Sequence, residues 1–296
     1  MVGEAGRAGR RLPDALSSNG IPIPVDGLFT EMRESTPLRS APDRLRNRFA
    51  EDGYVLLRGL LDRRQILNLR ADYFARFDPS YLAAGSTPEE GRFSGTVPAT
   101  LAEYGTPGHP AYDLVRSAKF DIFTRHSRLL ETAESLLGGA AELLPRRILR
   151  HFHRGSGKAS RAHIDYDYMD RGSDQLVTAW IPLGDCPIEC GGLIYLEGSQ
   201  RAPAGKLDQL REYTDRPDDR RPISNDLSLT AQELGGRWLW TDYQAGDVIM
   251  HSPYLVHASL DNISDTMRLS ADLRFRRRTA ELDQRWTADW SADDGF

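Results

Sequence analysis

Beyond Leu144 the chain breaks into short apolar segments separated by turn residues, at 147–153, 175–183, 192–196, 247–251 and 267–275. Segments of that length and spacing read as half-buried strands, and several in series predict a sandwich or closed barrel. The first half reads differently. Leu45 and Phe49 stand four apart in a short helix over 42–51, Gly53 breaks it, and 54–58 is a strand. Asp62 can cap a helix over 63–77 with Ile66, Leu69 and Tyr73 on one stripe. Two more helical segments cover 111–124 and 127–137, the second closed by Gly138-Gly139. The expected fold class is therefore mainly β with flanking α-helices. With 296 residues, one β domain plus helical support accounts for most of the chain. The expected organisation is an N-terminal tail or loosely docked arm over 1–40 and a single domain over 41–296. Within that domain we expect helical support over about 41–144, a β core over about 145–280, and a polar, charge-rich insert over about 200–236. Inserts of that length in compact domains are lids or disordered loops.

Charge and composition narrow the function. The 38 basic and 43 acidic residues give a formal charge of −5, which argues against nucleic-acid binding by bulk charge. No apolar run approaches the roughly 20 residues of a membrane helix, and the first residues lack the apolar core of a secretory signal. Two cysteines, Cys186 and Cys190, make no disulfide framework and read as small buried residues. The expectation is a cytoplasmic protein acting on a small molecule, with no nucleic-acid or membrane partner. The oligomeric state is not legible.

The last apolar segment alternates strictly. Arg268, Ser270, Asp272 and Arg274 fall on one face, and Met267, Leu269, Ala271, Leu273 and Phe275 on the other. If helices cover the apolar face, the polar face looks into the barrel. The reverse arrangement, with the polar face in solvent, fits the alternation equally well.

Of seven histidines, two sit at His151 and His153, one, His251, ends the 247–251 segment, and His257 follows it. His163 and Asp165 are two apart, so an extended backbone turns both side chains to one face. Such a pair can meet one ion, and His257, just beyond a short turn, would stand at the barrel mouth. Two histidines and one carboxylate on one triangular face are the facial triad of non-haem Fe(II) oxygenases.

Four segments in order resemble the phytanoyl-CoA dioxygenase family of Fe(II)/2-oxoglutarate oxygenases. They are Phe49-Ala50-Glu51-Asp52-Gly53-Tyr54-Val55-Leu56-Leu57-Arg58-Gly59-Leu60, then His163-Ile164-Asp165, then Thr178-Ala179-Trp180-Ile181-Pro182-Leu183 with Gly191-Gly192-Leu193 and Gly198-Ser199. The fourth is Gly246-Asp247-Val248-Ile249-Met250-His251-Ser252 with His257-Ala258-Ser259 and Arg268. The resemblance implies a double-stranded β-helix (jelly-roll, cupin-like) core, with His163, Asp165 and His257 as the catalytic iron ligands. It implies that Arg268 pairs with the distal carboxylate of 2-oxoglutarate, that Ser259 donates a hydrogen bond to it, and that Trp180 lines its pocket. An arginine supplies the permanent, forked cation that a buried carboxylate needs. The implied cofactors are Fe(II), 2-oxoglutarate as co-substrate, and O2. The implied reaction hydroxylates or otherwise oxidises a small molecule with release of succinate and CO2. Asp165 stands where related halogenases carry Gly or Ala, so the resemblance implies hydroxylation or desaturation rather than halogenation. The arginine-rich composition is compatible with a role in bacterial secondary metabolism.

Two substrate readings oppose each other. If the extended stretch continues past Asp165, then Asp167, with Tyr166 and Tyr168, makes an acidic, aromatic rim for a cationic or polyhydroxylated substrate. Arg147, Arg150, Arg154, Lys158 and Arg161 instead make a basic run suited to an anion. His151 and His153 are weaker pocket candidates. Two other functions stay open from the residues alone: a zinc-dependent hydrolase or isomerase on a cupin-like barrel, and a non-catalytic small-molecule-binding barrel. Arg268 discriminates against the hydrolase, which needs no co-substrate clamp.

Overall fold

The computed structural model describes residues 11–292 except 213, 214, 216 and 217. In chain order the strands are β1 (Leu16–Ser18), β2 (Ile21–Ile23), β3 (Phe29–Glu31), β4 (Tyr54–Leu57), β5 (Ala141–Leu143), β6 (Ile148–Phe152) and β7 (Ala162–His163). They continue as β8 (Leu176–Pro182), β9 (Leu193–Leu196), β10 (Pro222–Ser224), β11 (Trp238–Trp240), β12 (Val248–His251), β13 (His257–Ser259) and β14 (Arg268–Arg277). The helices are α1 (Pro42–Asp52), α2 (Arg63–Phe74), α3 (Pro110–Val115), α4 (Ala118–Thr124), α5 (Ser127–Leu137), α6 (Ala204–Arg211) and α7 (Leu227–Leu234). One sheet runs β10-β7-β13-β9-β11-β3; the other runs β4-β12-β8-β14-β5, with β6 also on β14. Apart from the parallel β3–β11 pair, the ladders within these two sheets are antiparallel. The core is the expected double-stranded β-helix.

Side-chain alternation assigns each layer. On the helix side, Val177, Ala179 and Ile181 of β8 and Leu269, Ala271, Leu273 and Phe275 of β14 share a core with Leu45, Leu69 and Leu129 from the helices. The polar face of β14 therefore looks inward. The last strand is the reverse of a surface strand because α1, α2 and α5 supply the apolar cover that solvent cannot. Between the sheets, one end is filled by Tyr54, Leu56, Trp180, Leu193, Tyr195, Tyr243 and Ile249. The other end holds His163, Asp165, His257 and the inward row of β14. The lumen is thus half core and half site.

The helical support follows the sequence closely. Proline opens α1, and Gly53 ends it at φ 77°, where a Cβ would also lie 2.9 Å from the Gln200 side chain. The Asp62 side chain accepts the Gln65 N–H at the start of α2. The helix expected over 111–124 is two, because Ser117 leaves the helical conformation and caps α4 through the Phe120 N–H.

Two segments differ from expectation. Residues 11–40 are held more firmly than a loose arm, while the first ten lie outside the described residues. β3 joins the sheet on β11, and Leu16 and Ile23 of the β1–β2 hairpin are buried against the outer face of the same sheet. Asp261 ties that hairpin by accepting from Ser17 Oγ and from the Asn19 and Gly20 N–H groups. The insert, outside the four undescribed positions, is no structureless loop. Leu207, Leu210, Ile223, Leu227 and Ala231 join the same outer core, and β10 extends the sheet beside β7. Its apolar residues are sparse, so its charge masks a folded element in the sequence.

Candidate metal centre and co-substrate pocket

β7 and β13 are antiparallel neighbours in which His163 stands directly opposite His257. Their rings are 4.1 Å apart between centroids. Ile164 stays extended (φ −115°, ψ 144°), and the chain then turns into a 3-10 helix over Asp165–Tyr168. The extended geometry thus lasts just long enough to bring Asp165 alongside His163. One ligand atom from each of His163, Asp165 and His257 lies within 4.8 Å of the others, the one such group found among the described residues.

The hydrogen bonds of these side chains fix which atoms remain for an ion. His163 Nδ1 donates to the Arg161 carbonyl at 2.7 Å, and His257 Nδ1 donates to the Leu255 carbonyl at 2.9 Å. A carbonyl only accepts, so both imidazoles carry their proton on Nδ1 and keep the Nε2 lone pair. Burial lowers both histidines below the usual imidazole range, with His163 and His251 pushing His257 further down. Both are therefore neutral at pH 7, as metal ligation requires. His251 has the opposite tautomer. Its Nε2 donates to Asp165 Oδ2 at 3.3 Å, and its Nδ1 accepts from Tyr195 Oη at 3.2 Å. Thr178 Oγ1 donates to the same Asp165 oxygen at 2.5 Å, and an Arg274 Nη donates to Oδ1 at 3.1 Å. Burial alone would raise the Asp165 carboxyl; Arg274 and His251 outweigh it and hold the group well below the ordinary carboxylate range. The carboxylate is charged and oriented, and His257 Nε2 is 3.9 Å from its Oδ1.

Arg268 lies on the inward face of β14, fully enclosed. It donates to the Gly191 carbonyl, and its guanidinium lies 4.1 Å from the Phe152 ring centroid. Its Nε and second Nη have no hydrogen-bond partner among the described residues. Burial pulls its pKa down to about 10, so it stays cationic at neutral pH. Gly191 holds this contact at φ 75°, where a Cβ would fall 2.4 Å from the Leu260 carbonyl oxygen. Ser259 is inward on β13, and its Oγ accepts the Ser160 N–H at 2.7 Å. Trp180 lines a small inner cavity of about 20 Å³ with His163, Asp165, His251 and His257. A larger outer cavity of about 200 Å³ opens beside the same His163 and Asp165. Arg268 and Ser259 line neither cavity, although Ser160, whose N–H the Ser259 hydroxyl accepts, lines both.

The expected rim residues divide. Tyr168 borders the outer cavity, its ring 5.5 Å from that of His163. Tyr166 packs on Tyr254 instead, and Asp167 pairs with Arg211 of α6. The 3-10 turn after Asp165 abolishes the shared face on which the acidic rim depended. His153 stacks on Phe93 at 4.2 Å, and His151 hydrogen-bonds Tyr73, both away from the site. Thr178, His251 and Arg274 were given no role at the site by sequence. Thr178 is two residues from Trp180, His251 two from Ile249 and Arg274 six from Arg268, so each shares the inward face of its strand by parity.

This donor set, two neutral Nε2 atoms and one carboxylate, fits an Fe(II) ion. A closed arginine with unpartnered N–H groups fits a co-substrate carboxylate. Comparisons with known proteins agree. The chain is 26% identical over 257 residues to the 1-deoxypentalenic acid 11-beta-hydroxylase of Streptomyces exfoliatus, covering 82% of this chain and 84% of that protein. The corresponding hydroxylase of Streptomyces arenae is 25% identical, covering 84% and 86%. The fold is similar to that of the epimerase SnoN solved with Fe3+, alpha ketoglutarate and nogalamycin RO (TM-score 0.56, 22% identity, 82% and 86% of the chains). It is likewise similar to that of EvdO2 from Micromonospora carbonacea var. aurantiaca complexed with 2-oxoglutarate (TM-score 0.54, 21% identity, 83% and 96%). The phytanoyl-CoA dioxygenase (PhyH) family pattern matches residues 49–270, three quarters of the sequence. The chain therefore belongs to the phytanoyl-CoA dioxygenase family and is a non-haem Fe(II)/2-oxoglutarate-dependent dioxygenase.

Proposed function

We propose that this dioxygenase oxidises a small molecule in bacterial natural-product biosynthesis, with His163, Asp165 and His257 holding the iron. The observation that carries the ligand assignment is the shared Nδ1-to-carbonyl hydrogen bonding of His163 and His257, which leaves both Nε2 atoms beside Asp165. When bound, the iron supplies the O2 chemistry that couples breakdown of 2-oxoglutarate to succinate and CO2 with oxidation of the substrate. The chain does the rest. Thr178, His251 and Arg274 orient Asp165. Arg268 and Ser259 bind the distal carboxylate, and Trp180 walls the pocket and excludes water. The biosynthetic setting rests on the hydroxylase relatives and on the epimerase SnoN, of similar fold and solved with nogalamycin RO. We further propose that residues 41–296 act as one domain whose insert, bordering the outer cavity through Pro222, covers the bound substrate. The compartment we assign is the cytoplasm, where the free thiols Cys186 and Cys190 stay reduced. A zinc hydrolase on the same triad has no use for Arg268, whose unpartnered groups favour the oxygenase.

Anaerobic addition of Fe(II) and then 2-oxoglutarate tests this. A visible charge-transfer band is expected, weakened in both Asp165→Ala and Arg268→Ala. Tight zinc binding with no such band would overturn it.

A further inference from the structure

The basic run on the β6–β7 segment divides in three dimensions. Arg147 turns to Asp121 and Arg154 to Asp265, both away from the site. Arg150, Lys158 and Arg161 instead line the outer cavity, where Arg274 joins them from β14. The acid in that lining is Asp165, which belongs to the metal centre, and Asp167 has turned away to Arg211. Arg150 and Arg161 each hold a carboxylate of their own, Asp272 and Asp215. Arg274 differs. It is 3% exposed, and among the described residues its one hydrogen-bond acceptor is Asp165, shared with the metal centre. Its Nε and Nη1 have no hydrogen-bond partner among the described residues. Its guanidinium lies 4.3 Å from the ring centroid of Trp286, another wall of the cavity. A buried guanidinium with two unsatisfied N–H groups costs free energy, which an acceptor entering from the cavity recovers, and a charged acceptor recovers more than a neutral one. Lys158 stands exposed at the mouth of the same cavity.

We propose that the outer cavity binds the substrate through a carboxylate held by the Arg274 fork, with Lys158 drawing the anion in. This rests on the oxygenase reading above and adds the charge class of the substrate. A carboxylate suits one buried cation. A phosphate dianion would bring a second negative charge close to Asp165. The cavity of about 200 Å³ admits a compact molecule or one end of a larger one.

The test uses the full chain with anaerobic Fe(II) and saturating 2-oxoglutarate. The probes are 4-fluorobenzoate, its methyl ester and 4-fluorophenyl phosphate, followed by fluorine NMR, in which the paramagnetic iron broadens a nearby fluorine. The carboxylate is expected to bind and broaden at least about tenfold more tightly than the ester, as befits a charge-assisted pair. Arg274→Gln should remove that preference, Arg274→Lys should recover part of it, and exposed Lys158→Gln should weaken it about threefold. Because Arg274 touches Asp165, the charge-transfer band is recorded for every variant. Equal affinity for acid and ester in the native protein, with the band present, overturns the proposal but leaves the oxygenase reading intact. Tighter binding of the phosphate overturns the carboxylate assignment. Loss of 2-oxoglutarate binding in Arg274→Gln but not in Arg268→Ala also overturns it, because Arg274 would then be the co-substrate clamp. Absence of the band in the native protein is instead the failure of the oxygenase reading.

Discussion

At the residue scale the site depends on hydrogen bonds that decide protonation before any ion arrives. Two imidazoles spend Nδ1 on carbonyls two residues upstream, while a third, His251, is turned the other way to donate to Asp165. Partners of this kind fix the ligand tautomer and orientation, and losing one commonly costs about 10–100-fold in metal affinity. Thr178 is the simplest to remove without disturbing size. Thr178→Val deletes the donor to Asp165 Oδ2 and keeps the branched shape β8 needs. We expect iron affinity to fall about tenfold or more, with thermal stability little changed, as read by anaerobic metal titration and calorimetry. An unchanged affinity would show that His251 and Arg274 position Asp165 unaided. The grouping of His163, Asp165 and His257 was expected from the His163–Asp165 spacing and from the family resemblance, which also pointed to Arg268. Thr178, His251 and Arg274 were named from sequence only as positions on a strand, because each reaches Asp165 from an element distant in sequence.

At the element scale, caps and edges determine how the support meets the barrel. α3 is capped by His109, whose Nδ1 accepts the Ala111 N–H at 3.0 Å. That bond requires a bare Nδ1, and burial brings the His109 pKa down from 6.5 to about 4. The unfolded chain therefore takes up this proton first, and stability falls as pH falls from 6.5 towards 4. His109→Asn keeps a capping oxygen and removes the titration. Its thermal midpoint is expected to drop less across that window than the native midpoint, measured by calorimetry at pH 7, 5.5 and 4.5. An equal drop would assign the acid sensitivity elsewhere. The apolar periodicity of α1, α2 and α5 made these helices legible. The short strands β3, β7, β10, β11 and β13 were not, since two or three residues carry no period and form only where a neighbour supplies the hydrogen bonds.

At the scale of the molecule, two outer layers close one barrel. The helices cover the sheet of β8 and β14, and the insert with the N-terminal hairpin covers the sheet of β7 and β13. The second cover is thin, so the residues before α1 matter more than a tail would. Leu16 and Ile23 are each 4% exposed, and burying such side chains stabilises by about 1.5–3 kcal/mol apiece. Deleting residues 1–24 is expected to cost about 3–5 kcal/mol, read from urea unfolding. A loss under about 1 kcal/mol would mean that the arm is dispensable.

Sequence alone determined the β class, the helical support and the His163, Asp165 and His257 grouping. Strand length, alternation and residue order are local properties, and motif spacing preserves them. Tertiary structure alone decided which face of β14 is inside, because alternation is symmetric until helices cover one side. It also decided the charge of the outer cavity. A single 3-10 turn sent Asp167 to α6, and long-range pairing removed Arg147 and Arg154 while leaving Lys158 and Arg274 at the cavity. Charges adjacent in sequence are free to part in space, and only the fold states which of them face the same cavity.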